Sequence, residues 1–343
     1  MYGRPFYEKI KLGLGAVLLS LACFASAETP SSVNQPSQQE RDIYNLANRF
    51  AQAGSSNLAG DVVGGATSAV NSSAAGVTKS YLERYFPTVE LQLDLFDYNK
   101  TQSGVLILAP LWENDKNLIF TQDSAYHKDN RTTVNVGLGY RRLEMDKKLL
   151  LGVNTFYDYE FPYGNTRSSL GLEARATVGE LNFNRYWGIS GWKDATAGYQ
   201  ERSLGGTDIE LGVPLPYANW AKVYARGFVW YGVDGVGDLR GNDVSLRAQV
   251  PVLPGLAVEA GHRNYNGSTP DENFIRLTYN LTDLVKANKT EPWISESAYS
   301  LGSMEGRKYD KVRRENIIVK QRRSKTGASS CDGLCFKVKG IIR

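Results

Sequence analysis

The sequence predicts an all-β protein, a twelve-stranded antiparallel transmembrane β-barrel. Three observations carry this. Segments near ten residues long alternate apolar and polar positions again and again from Val89 onward, the period at which strand side chains change face. The connections between these segments sort by length with parity. The chain opens with an export signal and contains no later apolar run long enough for a spanning helix, which needs about 20 residues.

The clearest alternation lies between Phe120 and Phe161. Thr132, Val134, Val136, Leu138 and Tyr140 share one face, and Thr133, Asn135, Gly137, Gly139 and Arg141 share the other. After the polar turn Met145–Lys148, Leu149, Leu151, Val153, Thr155 and Tyr157 oppose Leu150, Gly152, Asn154, Phe156 and Asp158. Strands are expected at about 88–97, 104–112, 117–127, 131–143, 148–159, 167–177, 180–188, 205–214, 220–231, 242–251, 255–265 and 272–281. Their number is even and their length suits a tilted bilayer crossing. Alternate connections are short (113–116, 144–147, 178–179, 215–219, 252–254), whereas the others include the long ones (160–166, 189–204, 232–241, 266–271). Short periplasmic turns and long external loops are usual in outer-membrane barrels. A soluble sandwich has no reason to sort its loops this way.

Ahead of the strands, Arg4, Lys9 and Lys11 precede the apolar run Leu12–Ala22 and the small-residue site Ala25-Ser26-Ala27. Residues 1–27 therefore read as a signal peptide, with Cys23 inside the discarded part. Residues 28–87 read as a periplasmic lead-in, flexible or partly helical. Residues 88–282 are the barrel, 283–323 a linker and emerging segment, and 324–343 an irregular basic tail. From Lys286 onward 14 Lys/Arg face 6 Asp/Glu, and the whole chain carries +4. The basic end suits anionic headgroups. Cys331 and Cys335 are the cysteines of the mature body, too few for a disulfide framework.

Charges fall on the polar faces: Glu90, Asp94, Arg141, Asp158, Glu173, Arg175, Asp208, Glu210, Arg226, Arg247 and Arg276 among them. A charge facing lipid costs roughly 2–4 kcal/mol at the midplane, so these residues are expected to line a hydrated lumen. Trp112, Tyr140, Tyr157, Tyr159, Trp187, Trp220, Trp230, Tyr265 and Tyr279 suit interface girdles.

FTQDSAYHKDNRTTVNVGLGYRR, LLLGVNTFYDYEF, ISGWKD and YQERSLGGTDIELGVPLP, over about residues 70–282, together with RKYDKVRRENIIVKQRR at 307–323, resemble the translocator domain of the intimin/invasin family of inverse autotransporters. The resemblance implies a periplasmic N-terminus and a linker that returns through the pore to deliver a C-terminal passenger. That linker would be about Asp283–Lys311, with Tyr309–Arg322 emerging outside. Parity and charge then suggest Lys286, Lys289, Arg307 and Lys311 as its contacts to Glu90, Asp94, Asp158, Glu173, Asp208 and Glu210. Implied partners are outer-membrane lipid and lipopolysaccharide, the outer-membrane assembly machinery and a host-surface receptor. The sequence after the barrel leaves no room for an immunoglobulin-like domain of about 100 residues, so the family's passenger domains are expected to be missing.

Catalysis is not expected. The chain has two histidines, His127 and His262, and neither shows the spacing of a base held beside a nucleophile. No cofactor, metal or nucleic acid is implied. A stand-alone adhesin or invasin using loops 189–204 and 232–241, and a diffusion porin, are the rival readings.

Overall fold

A computed structural model of the chain describes residues 86–96, 100–196, 198–250, 253, 255–267, 269–282, 293–325, 334–338 and 341–342. The barrel strands are β1 (Thr88–Phe96), β2 (Lys100–Glu113), β3 (Asn117–Lys128), β4 (Arg131–Glu144), β5 (Leu149–Phe161), β6 (Asn165–Ala176) and β7 (Gly179–Gly188). Two short strands, β8 (Lys193–Asp194) and β9 (Tyr199–Ser203), then leave the wall before it resumes with β10 (Gly206–Leu215), β11 (Ala218–Trp230), β12 (Leu239–Gln249), β13 (Leu256–Tyr265) and β14 (Glu272–Asn280). The twelve wall strands form a closed barrel. Closure is the antiparallel pairing of β1 with β14, from Glu90 opposite Asn280 to Phe96 opposite Phe274. No edge is left unpaired, the condition for a sheet to cross lipid. Among the described residues no helix is long and apolar enough to cross a membrane; the crossing belongs to strands.

The residue distribution is inside-out relative to a soluble sheet. Leu138, Leu170, Leu172, Leu211, Val244 and Ile275 are exposed on the outer face, Leu172 by 52%. Arg141, Asp158, Arg167, Glu173 and Arg175 are buried on the inner face, each at 5% exposure or less. Trp112, Tyr140, Tyr157 and Trp187 are exposed outside. Trp230 and Tyr265 instead turn inward, into an apolar cluster with Tyr186, Leu204, Phe228, Leu239 and Val319. Their strand parity matches Arg226 and Arg263, so alternation overrides the aromatic preference for interfaces.

Inner-face glycines make room for rings. A Cβ on Gly137 would lie 2.2 Å from Phe156 Cε1, and one on Gly139 the same distance from Phe120 Cζ. Each ring thus lies flat over a bare stretch of the neighbouring strand's backbone.

The chain after β14 is where expectation and structure differ most. A 3-10 turn, Glu305–Arg307, is followed by β15 (Lys320–Ser324), β16 (Leu334–Val338) and β17 (Ile341–Ile342). β15 pairs antiparallel with β9, Lys320 opposite Ser203 and Ser324 opposite Tyr199. A second sheet of order β17-β16-β15-β9-β8 results. The stretch from Ser324 read as irregular thus contains strands. They escaped the sequence reading because strands this short carry too few alternations.

Candidate functional site in the barrel lumen

Residues 293–325 trace a path from one end of the barrel to the other. At the short-turn end, Trp220 Nε1 donates to the Trp293 carbonyl, Ser295 N to the Tyr217 carbonyl, and Tyr217 N to the Ala298 carbonyl. Thr177 Oγ1 donates to the Ser300 carbonyl and accepts from Gly302 N. Met304 N donates to the Lys147 carbonyl. The chain therefore skirts the β10–β11, β6–β7 and β4–β5 turns in sequence. It enters the lumen at Met304, which is fully buried against Leu143 and Leu150.

Inside, the segment from Lys308 to Val319 is held in two ways. Wall side chains, mostly from β4, β6 and β7, grip its backbone. Arg141 Nη1 donates to the Lys308 carbonyl at 2.7 Å, Thr88 Oγ1 to that of Tyr309 at 2.7 Å, and Arg175 Nη2 to that of Lys311 at 2.9 Å. Asn184 Nδ2 donates to the Arg313 carbonyl and Asn135 Nδ2 to that of Asn316. Arg167 spans two, those of Glu315 at 2.6 Å and Ile317 at 3.2 Å. Inside the barrel this stretch has no sheet partner, and an unpaired buried carbonyl is costly. These side chains substitute for a neighbouring strand.

The remaining contacts read side chains. Lys311 pairs with Glu90. Arg313 forks onto Glu210 at 2.5 and 2.9 Å and reaches Glu259 at 3.3 Å. Arg314 forks onto Asp158 at 2.9 and 2.7 Å, and Arg167 neutralises the same carboxylate from the other side at 2.8 Å. Bidentate guanidinium–carboxylate pairs are the strong form of this contact. Val312 fills an apolar pocket of Leu108, Leu118, Phe120 and Phe156, and Val319 sits in the aromatic cluster nearer the long loops. Two apolar collars therefore flank a charged middle. A cavity of about 60 Å³ remains beside the segment, bounded by Gln92, Gln102, Arg276 and Arg313 among others. Its polar lining suits a few waters.

Sequence-derived residues fall out as follows. Glu90, Asp94, Arg141, Asp158, Glu173, Arg175, Asp208 and Glu210 are buried on the inner wall. Arg226, Arg247 and Arg276 are there too, paired respectively with Asp243, Glu259 and Asp94. Lys311 meets Glu90, one of the carboxylates inferred by charge; the other partners differ. Glu173 is used within the wall by Arg141 and Arg175, Asp94 by Arg276, and Asp208 by Asn184 and Tyr186. Arg307 meets Glu180 and Asp310 rather than those carboxylates. Lys286 and Lys289 lie outside the described residues. The sequence puts Arg313 and Arg314 in an emerging stretch, whereas in the structure Tyr309–Val319 is still inside. The signal is in the adjacent Arg-Arg pair and the acids around the lumen: Arg313 reaches Glu210 and Glu259, and Arg314 reaches Asp158 on another part of the wall.

At the loop end, Lys320 pairs with Glu160. Gln321 makes a strand-like contact with Val233, its Nε2 donating to the carbonyl and its Oε1 accepting from the amide. Of the histidines, His127 Nδ1 lies 3.1 Å from Thr132 Oγ1 and His262 contacts Asn273 and Asn264.

Comparison with known proteins places this architecture. Residues 45–316 match the family model described as "Inverse autotransporter, beta-domain". Intimin of Escherichia coli O127:H6 is 29% identical over 262 residues, 72% of this chain and 26% of the relative. Invasin of Yersinia enterocolitica is 31% identical over 153 residues, 43% of this chain and 18% of the relative. The chain spans less than half the length of these relatives. A solved structure, "Unveiling the Mechanism Behind the in-meso Crystallization of Membrane Proteins", aligns over 69% of this chain and 100% of its own with a TM-score of 0.55 and 23% identity, a likeness of fold. With its closed barrel and threaded lumen, the chain is an outer-membrane protein that belongs to the inverse autotransporter β-domain family.

Proposed function

We propose that the barrel is a translocator that carries its own C-terminal segment to the cell surface and anchors it there. The observation that supports this best is the backbone grip on residues 308–317. Side chains that bind carbonyls rather than particular residues suit a channel through which unlike sequences must pass in extended form. The collars around Val312 and Val319 suit a resting seal. In this reading the short turns face the periplasm, the long loops face outside, and β9 receives the exiting chain as an added strand. Assembly into the membrane would draw on the outer-membrane assembly machinery, and the basic tail would meet lipopolysaccharide. Relatives named intimin and invasin suggest a host-surface receptor as the partner of the displayed part.

Protease added to intact cells tests the direction. Cleavage near Arg322–Lys325 without lysis supports export. Cleavage there only after the outer membrane is permeabilised overturns it and favours a porin with a periplasmic tail.

A further inference from the structure

The stretch Trp293–Ser303, which runs along the short-turn rim, has its polarity reversed. Its small residues Ser295, Ala298 and Gly302 are partly buried toward the barrel, and its backbone and serine groups bond the turns through Tyr217, Asn219 and Thr177. Its large apolar residues point away: Trp293 is 54% exposed, Ile294 75%, Tyr299 48% and Leu301 47%. Beside water this arrangement is backwards, because removing a Leu- or Ile-sized side chain from water is favourable. Large apolar side chains turned outward are what the barrel wall shows on its own outer face; in this stretch Ser297, Ser300 and Ser303 are exposed beside them.

The surface is continuous with that wall. Val178 on the β6–β7 connection, Val213 near the end of β10 and Tyr217 on the β10–β11 connection are exposed at the same rim and join it to the apolar band of Leu172, Leu181 and Leu211. Two of the four exposed residues are Trp and Tyr, the types that seat at headgroup level. Glu296, the acid of the stretch, is exposed beside them.

We propose that Trp293–Ser303 is a membrane-interface strap, seated in the phospholipid leaflet at the short-turn end. It is an interaction surface for phospholipid formed by the chain between its last wall strand and the lumen. A strap fixed in the interface would set where the following segment enters the pore. Only the naming of the leaflet as periplasmic rests on the translocator reading. The strap itself stands or falls separately.

Spin labels on the full mature chain, with Cys331→Ser and Cys335→Ser, test this in phospholipid nanodiscs. Labels at Ile294→Cys and Leu301→Cys are compared with Leu172→Cys in the wall and Lys116→Cys at a turn. Collision with oxygen reports lipid, and collision with a nickel chelate reports water. The strap labels should give oxygen-to-nickel ratios several-fold above that of Lys116 and below that of Leu172, as expected at the interface. Ratios like that of Lys116 would overturn the proposal. A label-free check uses phospholipids brominated on the acyl chain. The quenchable tryptophan emission should fall in Trp293→Phe, and an unchanged quenchable fraction would equally count against the strap.

Discussion

At the residue scale the lumen depends on charges that neutralise one another away from water. Asp158 is the sharpest case. It accepts from Arg167, Arg314 and Asn135 and is fully buried, as are both guanidinium partners. Removing one member of such a cluster leaves the others uncompensated, at about 3–5 kcal/mol. Asp158→Asn should therefore lower stability by that amount in urea titrations of the refolded protein. Arg142→Gln, which breaks a largely exposed pair with Glu144, should change it by less than about 1 kcal/mol. Equal effects would mean that the lumen is wet enough to screen its charges. A milder electrostatic contact sits outside the membrane. Lys147 donates a hydrogen bond to Asp115 and holds its carboxyl below the usual carboxylate range. Because the folded value is depressed, this link operates above the ordinary carboxyl value and is lost as pH falls through the lowered one. Carboxyl chemical-shift titration should show that depressed midpoint, returning to the ordinary range in Lys147→Met.

At the scale of elements, alternation in the sequence was enough to place twelve strands and close their ends to within a few residues. Period two repeats often enough in each that boundary errors average out. It was silent where an element has no repeat. β9 and β15 are five residues each, and the rim stretch has no periodicity at all, so neither pairing nor path could be read. Alternation also gives a side chain's face but not its partner. Glu173 and Asp94 look like free acids in the sequence and are already used by neighbouring strands in the fold. Glycines on the inner face illustrate the coupling between elements. Gly137→Val would push into Phe156, whose ring carries the Arg314 guanidinium at 4.2 Å. We expect a loss of about 1–3 kcal/mol from overpacking. Gly227→Ala, where a Cβ meets nothing within 4 Å, should be tolerated; matching losses would show that strand glycines act through backbone freedom rather than ring packing.

At the scale of the whole molecule, the barrel and the segment inside it form one structure. The wall supplies donors for carbonyls that no strand pairs, and the segment supplies cations for acids the wall cannot neutralise alone. Carbonyl recognition is indifferent to side chains, whereas the Arg313 and Arg314 forks are particular to this stretch, so the segment has a fixed register within a general holder. A photoreactive aliphatic diazirine at Val312, in folded protein within membranes, tests the occupancy of the lumen most directly. Activation should attach residue 312 to the pocket that holds it, with adducts mapped by mass spectrometry to Leu108, Leu118, Phe120 or Phe156. Adducts confined to lipid or to other proteins, with none on β2, β3 or β5, would show that the segment does not reside inside the barrel.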